Sequence, residues 1–429
     1  MSGLLIKGGR VVDPASNLDA VRDVLILGGK IEKIGRRIGG RGAKEVNAAG
    51  MLVLPGLIDM HAHLRDPGRP DKETIASGSR AAALGGFTTV CCMANTDPPI
   101  DNPAVVKYVR NKAETEGVVN VYPVAAVSRG LKGEALTEMG MMLAEGAIAF
   151  SDDGHPVMRA DTMRRALEYA RQFNALVISH CEDRGLSHGG VMNESALSTA
   201  IGLAGVPALA EEVMVARDVM LAGEFGRVHI AHVSTERSVD IIRRAKKKGA
   251  PVTCETCPHY FSLSEEAVRG YETNAKVNPP LRSARDVRAV IRGLKDGTID
   301  VIATDHAPHN IEEKSVEFDL ASFGMLGLET ALALVLTKLV NAKALVLKKA
   351  IEKMTVAPAR ILNLNKGRLK PGADADIIVV DPKEEWTVDA KAFASRSRNT
   401  PFGGWELKGR VRHTIVGGKG VVCDGKLVA

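Results

Sequence analysis

The sequence predicts an α/β fold: a (β/α)8 TIM barrel with a small β-sandwich domain built from both termini. Three observations lead there. Short, near-continuous runs of Val, Ile, Leu and Ala alternate with amphipathic helical stretches through the middle of the chain, as a buried parallel sheet with helices outside requires. About eight such units fit in about 310 residues, the usual repeat of a barrel with insertions. Finally, polar residues of ligand type gather at the C-terminal ends of those runs, where a barrel places its active site and where an open doubly wound sheet would not collect so many.

The elements follow in order. The first 50 residues alternate β-like runs with glycine turns: Leu4-Leu5-Ile6-Lys7 before Gly8-Gly9, Val24-Leu25-Ile26-Leu27 before Gly28-Gly29, then Ile31-Glu32-Lys33-Ile34. The last 60 have the same texture, with strand candidates at 375–380, 411–416 and 420–423. Residues 1–52 and 366–429 are therefore expected to form the β-sandwich, and 53–365 the barrel. Barrel strands are predicted at 53–59, 87–93, 119–124, 147–151, 176–180, 228–232, 251–254 and 301–305. Helices are predicted at 160–174, 208–222, 234–248 and 284–296, among others.

Composition narrows the class. The chain has 429 residues and a net charge of +6. No apolar stretch of about 18 residues is free of charge, which argues against a membrane span. The opening residues lack the layout of a signal peptide, so a cytoplasmic protein is expected. The single basic run, 243–248, sits in a helical context and reads as a solvated face. With aromatics at 4%, base stacking has little to work with, and nucleic-acid binding is not expected. The six cysteines show no disulfide spacing, and the lone Cys254-Glu255-Thr256-Cys257 lacks the second pair of a zinc ribbon. They read as structural.

His61-Ala62-His63 closes the first apolar run. Residues two apart on a strand project to one side, so both imidazoles point together. His180, His232 and Asp305 end three other runs, and the fourth run ends in Ser151-Asp152-Asp153-Gly154, which supplies a carboxylate. Each histidine alone reads as a buried, hydrogen-bonded side chain. Together at strand ends they read as a metal site. Imidazole and carboxylate without clustered thiolate favour Zn²⁺, with Mn²⁺ and Fe²⁺ as alternatives. The ligands suffice for one or two ions, one taking His61, His63 and Asp305, the other His180 and His232. Each ligating histidine is expected to give its other N–H to an acceptor behind it. Arg65 follows His63 by two residues and is expected, by strand parity, to point into the same mouth and offer its fork to a carboxylate.

These residues, in this order, resemble the amidohydrolase superfamily and, within it, the class I dihydroorotases. The carrying stretches are Asp59 to Gly68, Met93 to Pro99, Phe150 to Gly154, Ile178 to Asp183, Ile230 to Thr235, Lys276 to Arg282 and Thr304 to His309; Ser397-Arg398-Asn399-Thr400-Pro401-Phe402 resembles the family's tail. Many superfamily members bridge two metals with a carboxylated lysine on the fourth strand. This chain has no lysine between Gly133 and Ala245, and the resemblance implies Asp153 as the bridge instead. The resemblance also implies that Asn95 and His309 share a substrate carboxylate with Arg65, that Asn278 contacts the ring, and that backbone groups of Phe323 and Gly324 hold the imide edge.

The implied activity is reversible cyclisation between N-carbamoyl-L-aspartate and (S)-dihydroorotate in pyrimidine biosynthesis. The metals would supply hydroxide, and Asp305 would serve as general base and acid. The rivals are another cyclic amidase, a hydantoinase or allantoinase, and a non-catalytic partner of aspartate carbamoyltransferase. An active complex with that transferase, and a homodimer, are also compatible with the class. Residues 310–322 lack periodicity and are expected to form a mobile loop over the site.

Overall fold

A computed structural model describes residues 3–40 and 42–428. Its centre is a parallel sheet of eight strands paired in chain order: Leu57–Ala62, Phe87–Cys92, Asn120–Ala125, Ala149–Phe150, Val177–Ser179, Val228–Ile230, Val252–Thr256 and Val301–Ile302. The ends meet just past the last strand. Asp305 N–H donates to His61 O at 3.0 Å and His63 N–H to His306 O at 2.8 Å, bringing the eighth unit back beside the first. Helices follow the strands, among them Ile75–Leu84, Pro103–Glu116, Ala160–Gln172, Leu209–Phe225, Glu236–Lys247 and Ala284–Asp296.

The last of these shows how local sequence sets the boundaries. The Ser283 hydroxyl accepts from Asp286 N–H while the Asp286 carboxylate accepts from Ser283 N–H, which starts the helix. Ala289, Val290, Gly293 and Leu294 give it one buried face. Arg243 of the preceding helix pairs with Asp296 at 2.8 Å, so the basic run is partly neutralised by its neighbour.

The two termini build one continuous mixed sheet. Among the described residues it has nine strands, five from the first 55 residues and four from the last 53, beginning at Ile377. Leu52–Pro55 is the seam: it runs parallel to Leu4–Asp13 and antiparallel to Ile377–Thr387. Alternate residues serve two cores. Val53, Ile377 and Val379 pack within the terminal unit with Ile6, Val24 and Ile415. Leu52, Leu54, Ile378 and Val380 turn the other way and join the large core that surrounds the barrel.

One expected strand is divided. The apolar run 53–59 belongs half to the terminal sheet and half to the barrel, with the break at Gly56. A Cβ there would lie 2.1 Å from the Thr88 hydroxyl, so only glycine lets the chain cross this close to the second barrel strand. Hydropathy does not reveal the switch, because both halves are buried. Strand pairing also stops earlier than the apolar runs, and Arg65, His232 and Asp305 lie beyond it with φ of 56°, 35° and 48°. These positive values turn the side chains at the rim out of strand geometry.

Among the described residues no helix is long and apolar enough to cross a membrane.

Candidate metal centre

The sequence-predicted ligands converge. His61 Nε2 lies 3.3 Å from Asp153 Oδ1 and His63 Nε2 3.5 Å from Asp153 Oδ2. On the far side His180 Nδ1 and His232 Nε2 each lie 3.4 Å from Asp153 Oδ1. Asp305 Oδ1 lies 3.1 Å from His63 Nε2 and 3.6 Å from His61 Nε2. Asp153 thus sits among four imidazoles contributed by three strand ends. Asp152 points elsewhere: its carboxylate accepts from Val127 N–H at 2.7 Å, Ser128 N–H at 3.0 Å and the Ser128 hydroxyl.

The donor chemistry fits a divalent cation. His61 Nε2 and Asp153 Oδ1 are buried with no hydrogen-bond partner, a costly arrangement unless something charged lies between them. His180 Nδ1 and His232 Nε2 face each other at 2.8 Å. His61-Asp153-His232 and His61-His63-Asp305 each offer three ligand atoms within 4.8 Å of one another. Electrostatics point the same way. Burial disfavours an imidazolium at His61, yet the Asp153 and Glu255 carboxylates outweigh it and hold its pKa well above the ordinary value. At His180 burial is likewise overcome, by Asp153 and Glu182, and the pKa rises to about 9. Burial opposes the Asp153 carboxylate, but the surrounding histidines keep it well below the usual range. The cluster draws positive charge, which a metal would supply in place of protons.

Behind the imidazoles stand acceptors that fix their tautomers. His61 Nδ1–H donates to Glu255 Oε1 at 2.6 Å, His63 Nδ1–H to Asn95 Oδ1 at 2.8 Å, and His180 Nε2–H to Glu182 Oε2 at 3.0 Å. Each bond leaves the other ring nitrogen facing the centre as a lone pair. His232 departs from the expected pattern, since its Nδ1 is buried without an acceptor. Beneath the site Asp59 accepts from Thr304 N–H at 3.0 Å, from its hydroxyl at 2.5 Å and from His61 N–H at 3.2 Å. Burial still pushes its pKa up to about 7.

The remaining predicted residues line one side of the mouth. Arg65 Nε donates to Pro308 O at 3.3 Å, and its Nη2 lies 3.4 Å from His309 Nε2. Burial lowers the Arg65 pKa to about 10, which leaves the guanidinium charged near neutrality. Arg65 reaches this place from its left-handed backbone position rather than by strand parity. His309 lies 2.9 Å from Phe323 O through Nε2 and 2.6 Å from Glu313 through Nδ1. Burial, then Arg65, lowers its pKa to about 3. Asn95 Nδ2 donates to Asp153 O at 3.2 Å, and Asn278 Nδ2 to Glu182 Oε2 at 3.0 Å. Gly324 N–H donates to Lys276 O at 2.9 Å. Several of these groups therefore already hold one another, although each carbonyl keeps a second lone pair.

Known proteins match this chain almost end to end. The dihydroorotase of Pelotomaculum thermopropionicum is 59% identical over 422 residues, 98% of this chain and 99% of that protein. The dihydroorotase of Acetivibrio thermocellus is 56% identical over 427 residues, 99% and 100% of the two chains. The family model for the amidohydrolase family matches residues 52–421. The chain belongs to the amidohydrolase family, among its dihydroorotases. Other amidohydrolases share the architecture: an L-hydantoinase from Arthrobacter aurescens superposes with a TM-score of 0.91 at 26% identity, covering 100% of this chain and 98% of that one.

Sequence reasoning passed over Glu255, Glu182 and Glu313. Glu255 lies inside the C-x-x-C that reads as structural, and both flanking cysteines are indeed buried. The overlooked signal is a carboxylate in the middle of a buried amidohydrolase strand. Cys181, next to a predicted ligand, turns away towards Ser179 and Asp218, each at 3.6 Å. The segment 310–322 is turn-rich, in keeping with its lack of periodicity. Two lysines tie it down: Lys314 Nζ donates to Thr273 O at 2.8 Å and Ser322 O at 2.7 Å, and Lys276 Nζ to Phe318 O at 2.8 Å.

Proposed function

We propose that this chain interconverts (S)-dihydroorotate and N-carbamoyl-L-aspartate. The observation that carries the reading is the pairing of an aspartate-centred cluster of four imidazoles with a half-buried arginine beside His309. The first half suits hydrolysis of an amide; the second suits a substrate that carries a carboxylate. The names of the relatives agree with both.

His61, His63 and Asp305 would hold one ion, His180 and His232 the other, with Asp153 shared. Zinc is the ion proposed, on the imidazole and carboxylate donor set. When bound, the metals supply Lewis acidity that lowers the pKa of water and polarises the ring carbonyl. Arg65 binds the substrate carboxylate with its charged fork, and His309 and Asn95 border the same place. Asn278 and the backbone at Phe323 and Gly324 orient the ring, the carbonyls through their second lone pairs. In ring opening, the Asp305 carboxylate takes a proton from the attacking water and returns it to the departing ring nitrogen. In cyclisation the order reverses: Asp305 takes the proton from the ureido nitrogen and gives it to the hydroxyl that leaves as water. Burial disfavours the Asp305 carboxylate, but hydrogen bonding from His63 and the charge of His61 hold its pKa below the usual value, so it starts as a base.

The reaction belongs to pyrimidine synthesis in the cytoplasm. Aspartate carbamoyltransferase, which makes the open-chain substrate, is the proposed partner, and a homodimer the proposed self-assembly. A hydantoinase role is disfavoured because the fourth barrel strand offers Asp153 where those enzymes use a lysine. Elemental analysis of the purified chain, with turnover of dihydroorotate, hydantoin and allantoin measured in parallel, tests the reading. Preference for either uncharged ring over dihydroorotate would refute it.

A further inference from the structure

The tail stretch Ser397-Arg398-Asn399 has no part in the chemistry above, yet it reaches the substrate side of the mouth. It lies in the connection between Ile377–Thr387 and Glu406–Val416 of the terminal sheet. Two carboxylates, Glu73 buried and Glu329 half-buried, hold its start. Glu329 accepts from Ala394 N–H at 2.9 Å and Ser395 N–H at 3.2 Å, and Glu73 accepts from the Ser395 hydroxyl. Ser397 then donates its hydroxyl to Lys72 O at 2.8 Å. The segment is thus anchored to the barrel before it arrives at Asn399.

Asn399 is 4% exposed and its amide is fully used. Oδ1 accepts from His309 N–H at 3.0 Å. Nδ2 spends one hydrogen on Ala307 O at 3.0 Å and the other on Gly324 O at 3.1 Å. Its own carbonyl accepts from Leu326 N–H at 2.9 Å. One side chain therefore stitches the loop that carries His309 to the returning segment that carries Phe323 and Gly324. The stitch is tight, for a Cβ on Gly324, whose φ is +134°, would lie 2.7 Å from the Ala307 Cβ. Only a primary amide offers one acceptor and two donors in this geometry. A carboxylate would face two carbonyl oxygens, and glutamine is one methylene too long for a buried position.

We propose that Asn399 is a positioning residue for substrate recognition. It fixes the distance between His309 and the Phe323–Gly324 backbone, so that the terminal β-unit sets how the carboxylate and ring edge are gripped. The proposal rests on the functional reading given above for the substrate, but not for the geometry. Asn399 touches neither the metal cluster nor Asp305, so its loss should act on binding and leave the chemical step alone.

The test uses the full chain with Asn399→Asp and Asn399→Ala, the second removing the bonds without adding charge. Steady-state kinetics with dihydroorotate, elemental analysis and amide hydrogen exchange are measured on each. The expected result is a KM raised about tenfold or more, kcat within about threefold of wild type, and unchanged metal content. Exchange should quicken in residues 306–310 and 322–327 and nowhere near the metal ligands. A fall in kcat at constant KM, a loss of metal, or wild-type exchange in those two segments would overturn the proposal. So would the collapse of both variants, seen as loss of the cooperative melting transition, since the role would then be purely structural. A wild-type chain without dihydroorotase turnover would sink the functional reading alone, and the exchange measurement would still decide the role of Asn399.

Discussion

Glu255 and His61, 194 residues apart in sequence, share a hydrogen bond of 2.6 Å at the floor of the candidate metal centre. Both are fully buried. The carboxylate holds the proton on Nδ1 and so keeps the Nε2 lone pair turned to Asp153. Burial opposes the Glu255 anion, but the charge of His61, the nearby His229 ring with Nε2 at 3.3 Å and the hydrogen bond from His61 keep its pKa far below the ordinary range. Glu255→Gln should therefore fold and still bind metal, with affinity reduced about 10- to 100-fold. Competition with a chelator, read by elemental analysis, measures this; wild-type affinity would show that the bond does not tune the ligand.

Asp305→Asn keeps the side-chain volume but removes the proposed base. Turnover should drop by about 10²- to 10⁴-fold in both directions, with the melting temperature little changed. Near-normal turnover would contradict the proton route through this carboxylate.

Arg65→Met should act on one class of substrate. Loss of the charged fork should raise KM for dihydroorotate about a hundredfold, by removing charge-assisted hydrogen bonds to its carboxylate. Any turnover of an uncharged hydantoin should be much less affected. Equal losses on both rings would separate Arg65 from carboxylate recognition.

Lys314 makes a prediction about pH. Burial pushes its ammonium down to about 7 from an ordinary 10.5. Between these values the unfolded chain holds the proton and the folded chain has released it, so the contribution of Lys314 to stability rises with pH from about 7 to about 10.5. The stability difference between wild type and Lys314→Met should therefore grow in favour of wild type across that window. Denaturant titrations at pH 7 and pH 9.5 would reveal it, and a constant difference would count against the buried-amine assignment.

Much of this architecture is legible in the chain itself, and the reasons are local. The barrel strands stand out because a parallel sheet covered on both faces demands short runs of Val, Ile and Ala. His61, His63, His180, His232 and Asp305 stand out because each closes such a run. What stays hidden depends on partners distant in sequence. Nothing around Glu255 or Asn399 announces a contact with His61 or His309, since those bonds form only when segments far apart in the chain close on one another; Glu182, two residues from His180, is hidden only because its orientation is. Strand parity also fails as a guide at the rim. Asp152 and Asp153 follow a strand of two residues, and Arg65 lies past the end of its strand with a positive φ. The anchoring of segment 310–322 escapes notice for a third reason: its lysines are held by backbone carbonyls, which carry no side-chain pattern.

Gly56 separates Leu52–Pro55 from Leu57–Ala62 by a single residue. The strand that presents His61 is thus a direct extension of the strand that joins the two chain ends. An engineer who trimmed the terminal sheet to obtain a minimal barrel would cut the mooring of His61 and His63, the first pair of proposed ligands. An insertion at this crossing would shift the register of His61 and His63 together. The economical places for tags, grafts or permuted ends are instead the turns far from this joint.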